Sequence, residues 1–248
     1  MKRLRIFFTL VMVSFATLSF ANKEYDAVEF RELNLSLIAA AKDGDINMVR
    51  QRLEEGASIK ARNRFGNTAL ISATRAGSLD IVKLLIKKGA SVDMVNTNAE
   101  TALMNAASGG HEDILQYLID NGAEINKLSV KNLSALMEAV FARHQSIASI
   151  LLKLGADVTV IDHSGKTALN YAAANGDVEI IKLLVEYGAD VNRQTENDLT
   201  SLMWAVGYGK IEAVDALLKL GADTTIRDNR GLTALMIAEE NNYNEIVK

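Results

Sequence analysis

Thr68-Ala69-Leu70 returns as Thr101-Ala102-Leu103, Ser134-Ala135-Leu136, Thr167-Ala168-Leu169, Thr200-Ser201-Leu202 and Thr233-Ala234-Leu235, each step being 33 residues. A second marker, Gly-Ala, keeps the same period at Gly56, Gly89, Gly122, Gly155, Gly188 and Gly221. Two markers in phase define a tandem array, and a period of this size belongs to stacked supersecondary units. One step back from Thr68 lies Leu35-Ser36-Leu37, a degenerate first copy. The chain thus divides into a lead segment (22–34, suited to a helical cap), six repeats of 33 residues (35–232) and a partial seventh from Thr233.

Each unit reads as helix, turn, helix and projecting loop. In the second repeat Thr68 offers an N-cap hydroxyl, and Ala69, Leu70 and Ala73 give the first helix a small apolar face. Gly77 ends that helix in the left-handed region. Ile81, Leu84 and Leu85 then line one face of a second helix, which stops at Lys87, Lys88 and Gly89, where basic residues suit the negative end of the helix dipole. Ala90 to Glu100 is mostly polar, as a turn or short hairpin is. One such unit cannot bury its own apolar face; stacking makes the core.

These residues resemble the ankyrin repeat, whose period and Thr-Pro-Leu-His signature they share in part. Gly188-Ala189-Asp190-Val191-Asn192 meets the family's loop form in full, and Gly110-His111-Glu112-Asp113-Ile114 meets the start of its second helix. The resemblance implies an all-α solenoid of about seven stacked helix-turn-helix units with projecting loops or short hairpins. Proline is absent from the chain, and the signature histidine is replaced by Ile71, Met104, Met137, Asn170, Met203 or Met236. The family's hydroxyl–imidazole bonding between repeats is therefore expected to be missing. The usual turn glycine is kept at Gly66, Gly165 and Gly231 but gives way to Ala99, Asn132 and Asp198, of which Ala99 is either strained or in a different turn. Arg143 stands where other copies have glycine, read either as a distorted helix end or as a repeat specialised for a partner. Asn244 to Lys248 covers only the start of a second helix, so the last unit is expected to fray unless a partner or a second copy covers it.

The first 21 residues read separately. Lys2, Arg3 and Arg5 precede the apolar run Ile6 to Phe20, and Ser19-Phe20-Ala21 sets small residues at a cleavage site, as in a secretory signal peptide. A signal anchor competes, but the run is short and carries Thr9, Ser14, Thr17 and Ser19, whereas a spanning helix wants about 20 mostly apolar residues. Cleavage after Ala21 would leave 24 basic against 31 acidic residues, a net charge of -7. With this array the leader resembles bacterial exported ankyrin proteins, which implies a periplasmic or secreted protein with no membrane insertion after cleavage.

Composition removes several function classes. The 248 residues contain no cysteine and three histidines, which excludes disulfides, thiolate metal sites and thiol nucleophiles. His111 and His144 lie 33 apart, so they are repeat equivalents. A metal there lacks its third and fourth ligands, and the resemblance implies structural turn contacts for them. A metal-binding or catalytic role for the pair is the alternative from a different class. His163 falls in a loop. No G-x-S-x-G, P-loop, H-E-x-x-H or GxGxxG stands in context, and Asp157, Asp190 and Asp223 recur as loop residues of the repeat. The expectation is no enzyme, no cofactor and no metal. Net acidity opposes phosphate neutralisation, so no nucleic acid is expected despite Lys60, Arg62, Arg64 and Arg75.

What the resemblance implies is a scaffold that binds a protein partner through loop tips and a concave groove. A secreted effector and a toxin-neutralising immunity protein are its more specific versions. Partner-facing positions carried onto this chain are unusually apolar in and just before repeats four to six: Leu128, Val130 and Leu133 at one loop, Ile161 at the next, and Phe141, Tyr171, Trp204 and Tyr208 along the first helices. Tyr171 and Trp204 also read as half-buried packing residues; Phe141 and Tyr208 fit that reading less well. The loop before repeat two, with Arg62, Arg64, Phe65 and Asn67, is the polar alternative.

The leader generates the first prediction. Protein recovered from the cell envelope should begin at Asn22 by N-terminal sequencing; a membrane-bound chain that keeps Met1 would instead establish an anchor.

Overall fold

A computed structural model of the protein describes residues 26–247. The basic start, the apolar run and the cleavage site after Ala21 lie outside the described residues. The chain forms two compact units that part between Ala90 and Ser91.

In the first unit α1 (Ala27–Asp43) is launched by Asp26, whose carboxylate accepts from the amides of Val28 and Glu29 while Glu29 reaches back to the Asp26 amide. That reciprocal pairing satisfies amides a helix start would otherwise leave open. The helix spans the end of the lead segment and the degenerate first copy. It packs on α2 (Ile46–Glu54) and α3 (Ala69–Arg75), and α2 packs on α4 (Leu79–Lys87). Leu33, Leu37, Ile38, Leu70, Ile71, Ile81 and Leu85 fill the core.

The second unit repeats one motif. First helices α5 (Ala102–Gly109), α7 (Ala135–Phe141), α9 (Ala168–Asn175), α11 (Ser201–Gly207) and α13 (Ala234–Glu240) stack in one row. Second helices α6 (Glu112–Asp120), α8 (Gln145–Lys153), α10 (Val178–Glu186), α12 (Ile211–Lys219) and α14 (Asn244–Val247) stack in another. Leucine, isoleucine and alanine meet between the rows, with Leu103, Leu115, Leu136, Leu151, Leu169, Leu184, Leu202 and Leu217 all buried. There is no strand among the described residues, so the projecting loops are turns and not ladders.

The hydroxyls expected to cap the first helices do so from the second repeat to the partial seventh. Thr68, Thr101, Ser134, Thr167, Thr200 and Thr233 each accept from the amide three residues on, at 3.2–3.3 Å. A cap of this kind contributes about 1 kcal/mol. The missing imidazole is partly replaced. Asn170 accepts from the Thr167 amide and hydroxyl and donates to Ser201 Oγ at 3.0 Å, so one polar tie between neighbouring repeats survives inside the core.

A second periodic device escapes a reading by residue identity. Five residues before each cap stands Asn63, Asn96, Ser129, Asp162, Thr195 or Asp228. The side-chain oxygens of all but Thr195 accept from backbone amides two and four residues on, which closes the loop. Thr195 instead donates its hydroxyl to the Leu199 carbonyl. The loop tips are then laced to one another, Val130 to Asn98, His163 to Lys131 and Asn229 to Asn197, by backbone hydrogen bonds of 2.8–3.0 Å. Asn126 and Asn192 tie successive repeats below the tips, each accepting from the amide of Asp157 or Asp223 and donating to the carbonyl of Gly155 or Gly221.

Ala99, Asn132, Asp198, Arg143 and Asn242 occupy glycine positions of the repeat with positive φ, and of these only Ala99 and Arg143 are not Asn or Asp, which tolerate that region. Ala99 has φ 56 and donates to the Asn96 carbonyl as Gly165 does to Asp162, so its turn is the same turn under strain. Arg143 has φ 65, and its guanidinium holds Asp177 of the next repeat at 2.7 Å. That pairing links the fourth repeat's helix end to the residue that precedes α10. For L-residues the left-handed region costs roughly 1–2 kcal/mol, partly offset for alanine by the smaller unfolded-state freedom it has relative to glycine. Ala99→Gly should therefore raise stability by about 0.5–1 kcal/mol, seen as a melting temperature a few degrees higher. An unchanged or lower melting temperature would mean the turn carries no strain.

Candidate functional site

The expected contact residues separate into two groups. Phe141, at the end of α7, and Tyr208, which caps the end of α11, are 63% and 57% exposed. Tyr171 on α9 and Trp204 on α11 are half-buried. The four nevertheless connect. Phe141 meets Tyr171 edge to face with centroids 5.5 Å apart, and Trp204 stacks on Tyr208 at 6.0 Å. Both geometries are favoured by the ring quadrupoles.

Lys166 joins the two pairs. Its Nζ lies 4.8 Å from the Trp204 ring centre and 5.6 Å from that of Tyr171. It makes no ion pair with a carboxylate among the described residues. Cation–aromatic attraction of this kind is worth about 0.5–2 kcal/mol, rising as water is excluded. The buried Nε1–H of Trp204 has no acceptor among the described residues. Ring contacts, not a hydrogen bond, therefore hold the indole in place.

Beside Tyr171 a groove of about 560 Å³ is walled by Leu133, Met137, Phe141 and Tyr171 and rimmed by Lys131, Glu138 and His163. Its size is ordinary for a recognition site. Ile161 is half-buried at the neighbouring loop, where its carbonyl accepts from Asn132. Leu128 and Val130 stand exposed on the loop before repeat four and do not line this groove. The sequence-derived set thus contributes Leu133, Phe141 and Tyr171 to the groove, with Trp204 and Tyr208 continuing the aromatic run. Lys166, Asp162 and Ser164, which complete the arrangement, went unread. The period of loop anchors was the available signal for Asp162; nothing in spacing marks Lys166 as a bridge between rings.

Asp162 is the polar floor of the site. Burial pushes its carboxyl up, but hydrogen bonds from the Tyr171 hydroxyl, the Lys166 and Ser164 amides and the Ser164 hydroxyl together outweigh that and hold it below the usual aspartate range. For Tyr171, burial and donation to Asp162 push the phenol up to about 12. The hydroxyl is a fixed proton donor across all physiological pH. Asp157 and Asp223 are held below their usual value chiefly by bonds from the Thr159 and Thr225 hydroxyls, as turn residues, not as an acid–base pair.

The histidine pair is packed. His111 and His144 sit at the N-terminal boundaries of α6 and α8, and the His144 ring lies over Gly110, where a Cβ would come within 2.7 Å. A ring nitrogen of His144 is 3.2 Å from the Ser108 carbonyl oxygen. No group of three or more candidate ligands able to hold a metal occurs among the described residues. No helix among them is long and apolar enough to cross a membrane.

The Asp162–Tyr171 bond yields a pH prediction. Asp162 is depressed on folding, so its contribution is present above the ordinary aspartate pKa of about 3.9 and fades as pH falls through the lower folded value. Tyr171 is raised, so its contribution is present below about 10, the ordinary tyrosine value, and fades as pH rises towards 12. Tyr171→Phe should cost about 1–2 kcal/mol near pH 7. Thermal melts should show the gap between the two proteins shrinking at both extremes; a gap constant from pH 3 to 11 would detach the phenol from the carboxylate.

Comparison with known proteins agrees with this architecture. The model of ankyrin repeats in three copies matches residues 37–129 and again 126–195, and that of ankyrin repeats in many copies matches 184–238. Among solved structures, the ankyrin repeat domain of Bcl-3, described as a unique member of the IkappaB protein family, is similar at 27% identity and a TM-score of 0.72. That likeness covers 86% of this chain and 97% of the other. No curated protein matches the chain. With these models matched over residues 37–238, the chain belongs to the ankyrin-repeat family.

Proposed function

We propose that this protein is a non-enzymatic scaffold, exported to the periplasm or outside the cell, that holds a protein partner on repeats four to six. The family membership supports the scaffold reading, since ankyrin-repeat proteins are in general interaction modules without catalysis. The observation that carries the choice of surface is the aromatic run from Phe141 through Tyr171, Lys166 and Trp204 to Tyr208. Its two ends are largely exposed although the helices beneath are fully packed. Folding does not need a phenylalanine and a tyrosine left in water, whereas association does. Aromatic residues also lead among those that dominate binding energy. Export rests on the basic start, the short apolar run and Ser19-Phe20-Ala21.

The partner is to be found by affinity capture with the mature chain, comparing periplasmic extract with culture supernatant. Phe141→Ala and Tyr208→Ala should each weaken its capture at least about fivefold, roughly 1 kcal/mol, while barely moving the melting temperature. Trp204→Ala should weaken capture more and also lower the melting temperature, because the indole is half-buried. Unchanged affinity in a well-folded Phe141→Ala/Tyr208→Ala double variant would remove this surface.

A further inference from the structure

A different groove lies wholly within residues 26–90. One stripe of α1, Leu35, Ile38, Ala39 and Lys42, faces Ala76 and Arg75 from the end of α3 and Phe65 from the loop before it, enclosing about 530 Å³. The floor is aliphatic, and Phe65 and Leu35 are 54% and 38% exposed. Lys42 and Arg75 stand in the wall, no carboxylate lines it, and its remaining polar members are the side chains of Asn63, Asn67 and Ser72. Arg64 adds a third cation, its guanidinium 4.6 Å from the Phe65 ring centre. Lys42 and Arg64 form no ion pair with a carboxylate among the described residues.

We propose that this groove docks an acidic protein segment, seating one apolar side chain on Leu35, Ile38 and Phe65 and laying its carboxylates along Lys42 and Arg64. Charge complementarity carries the choice. The chain as a whole is acidic, at a net -4, so a cationic rim without a single carboxylate in the wall is a local exception to the overall field. A basic or neutral segment would leave Lys42 and Arg64 without a carboxylate, while an acidic one is attracted here. The aliphatic floor requires that the segment also carry an apolar anchor, which separates it from a free anion. Arginine beside an aromatic ring suits planar carboxylates. The inference does not rest on the aromatic run of repeats four to six.

The test uses the mature chain and a fluorescently labelled heptapeptide of alternating glutamate and leucine, with its glutamine–leucine and glutamate–serine counterparts. Saturable binding of the first, at least about tenfold tighter than either counterpart and weakening about tenfold between 0.05 and 0.5 M salt, is expected. Lys42→Glu and Arg64→Glu should each reduce it about fivefold and Phe65→Ala about tenfold, with the circular dichroism unchanged. Arg64→Gln, which keeps the stem, provides the milder variant. Phe141→Ala/Tyr208→Ala should leave peptide binding intact. Loss in that variant, with none in Lys42→Glu, would overturn this inference and leave the other surface standing. Equal binding of the glutamine peptide would also overturn it. So would binding to phosphatidylglycerol vesicles that competes with the peptide, or a dimer abolished by Lys42→Glu, since the occupant would then be a membrane or a second copy.

Discussion

A helix of nine residues has too few hydrogen bonds to stand alone in water, where isolated helices shorter than about 12–15 residues are marginal. Every helix here after α1 is nine residues or fewer. Each exists because a neighbour covers its apolar face, and the first helices also have a hydroxyl that closes an open amide, whereas α4, α6, α8, α10 and α12 start without a side-chain cap. Both supports come from the adjacent repeat or from the loop that leads in. The structure is therefore governed by contacts at one fixed sequence distance, and its energetics are those of nearest neighbours.

That constraint explains why surface and stability divide so cleanly. Residues at the caps and the helix interfaces are fixed by packing in repeat after repeat, while side chains at the tips and along the outer edge of the first helices are under less constraint. Arg64 and Phe65 in one unit, and Phe141, Lys166 and Tyr208 in the other, sit at the tips or along that outer edge. Their chemistry differs from repeat to repeat although the backbone beneath does not. The first unit presents cations over aliphatic carbon, and the second presents rings bridged by one ammonium.

Most of the architecture was legible because its signals repeat by identity. Thr-Ala-Leu and Gly-Ala mark helix start and helix exit at constant spacing, and the hydroxyl caps follow from residue type alone. The loop anchors were not legible in that way. Asn63, Ser129, Asp162 and Asp228 share an acceptor oxygen but not a name, so the period lives in an atom. Asn170 shows the same limit: read as a lost histidine, it turned out to restore a bond between repeats because its amide both accepts and donates. Of the site, the aromatic residues could be placed from their positions in the repeat. The role of Lys166 could not, since the position of an ammonium over two rings depends on how two neighbouring helices face each other.

The ties between successive repeats, Asn126 to Gly155 and Asn192 to Gly221 below the tips and the backbone bonds across them, have a mechanical consequence. They lie between neighbours and nowhere else in the series. A chain of this kind pulled from its two ends does not fail all at once. It yields in steps, each releasing one 33-residue unit, or about 110 Å of extended chain. The repeats still stacked keep their ties.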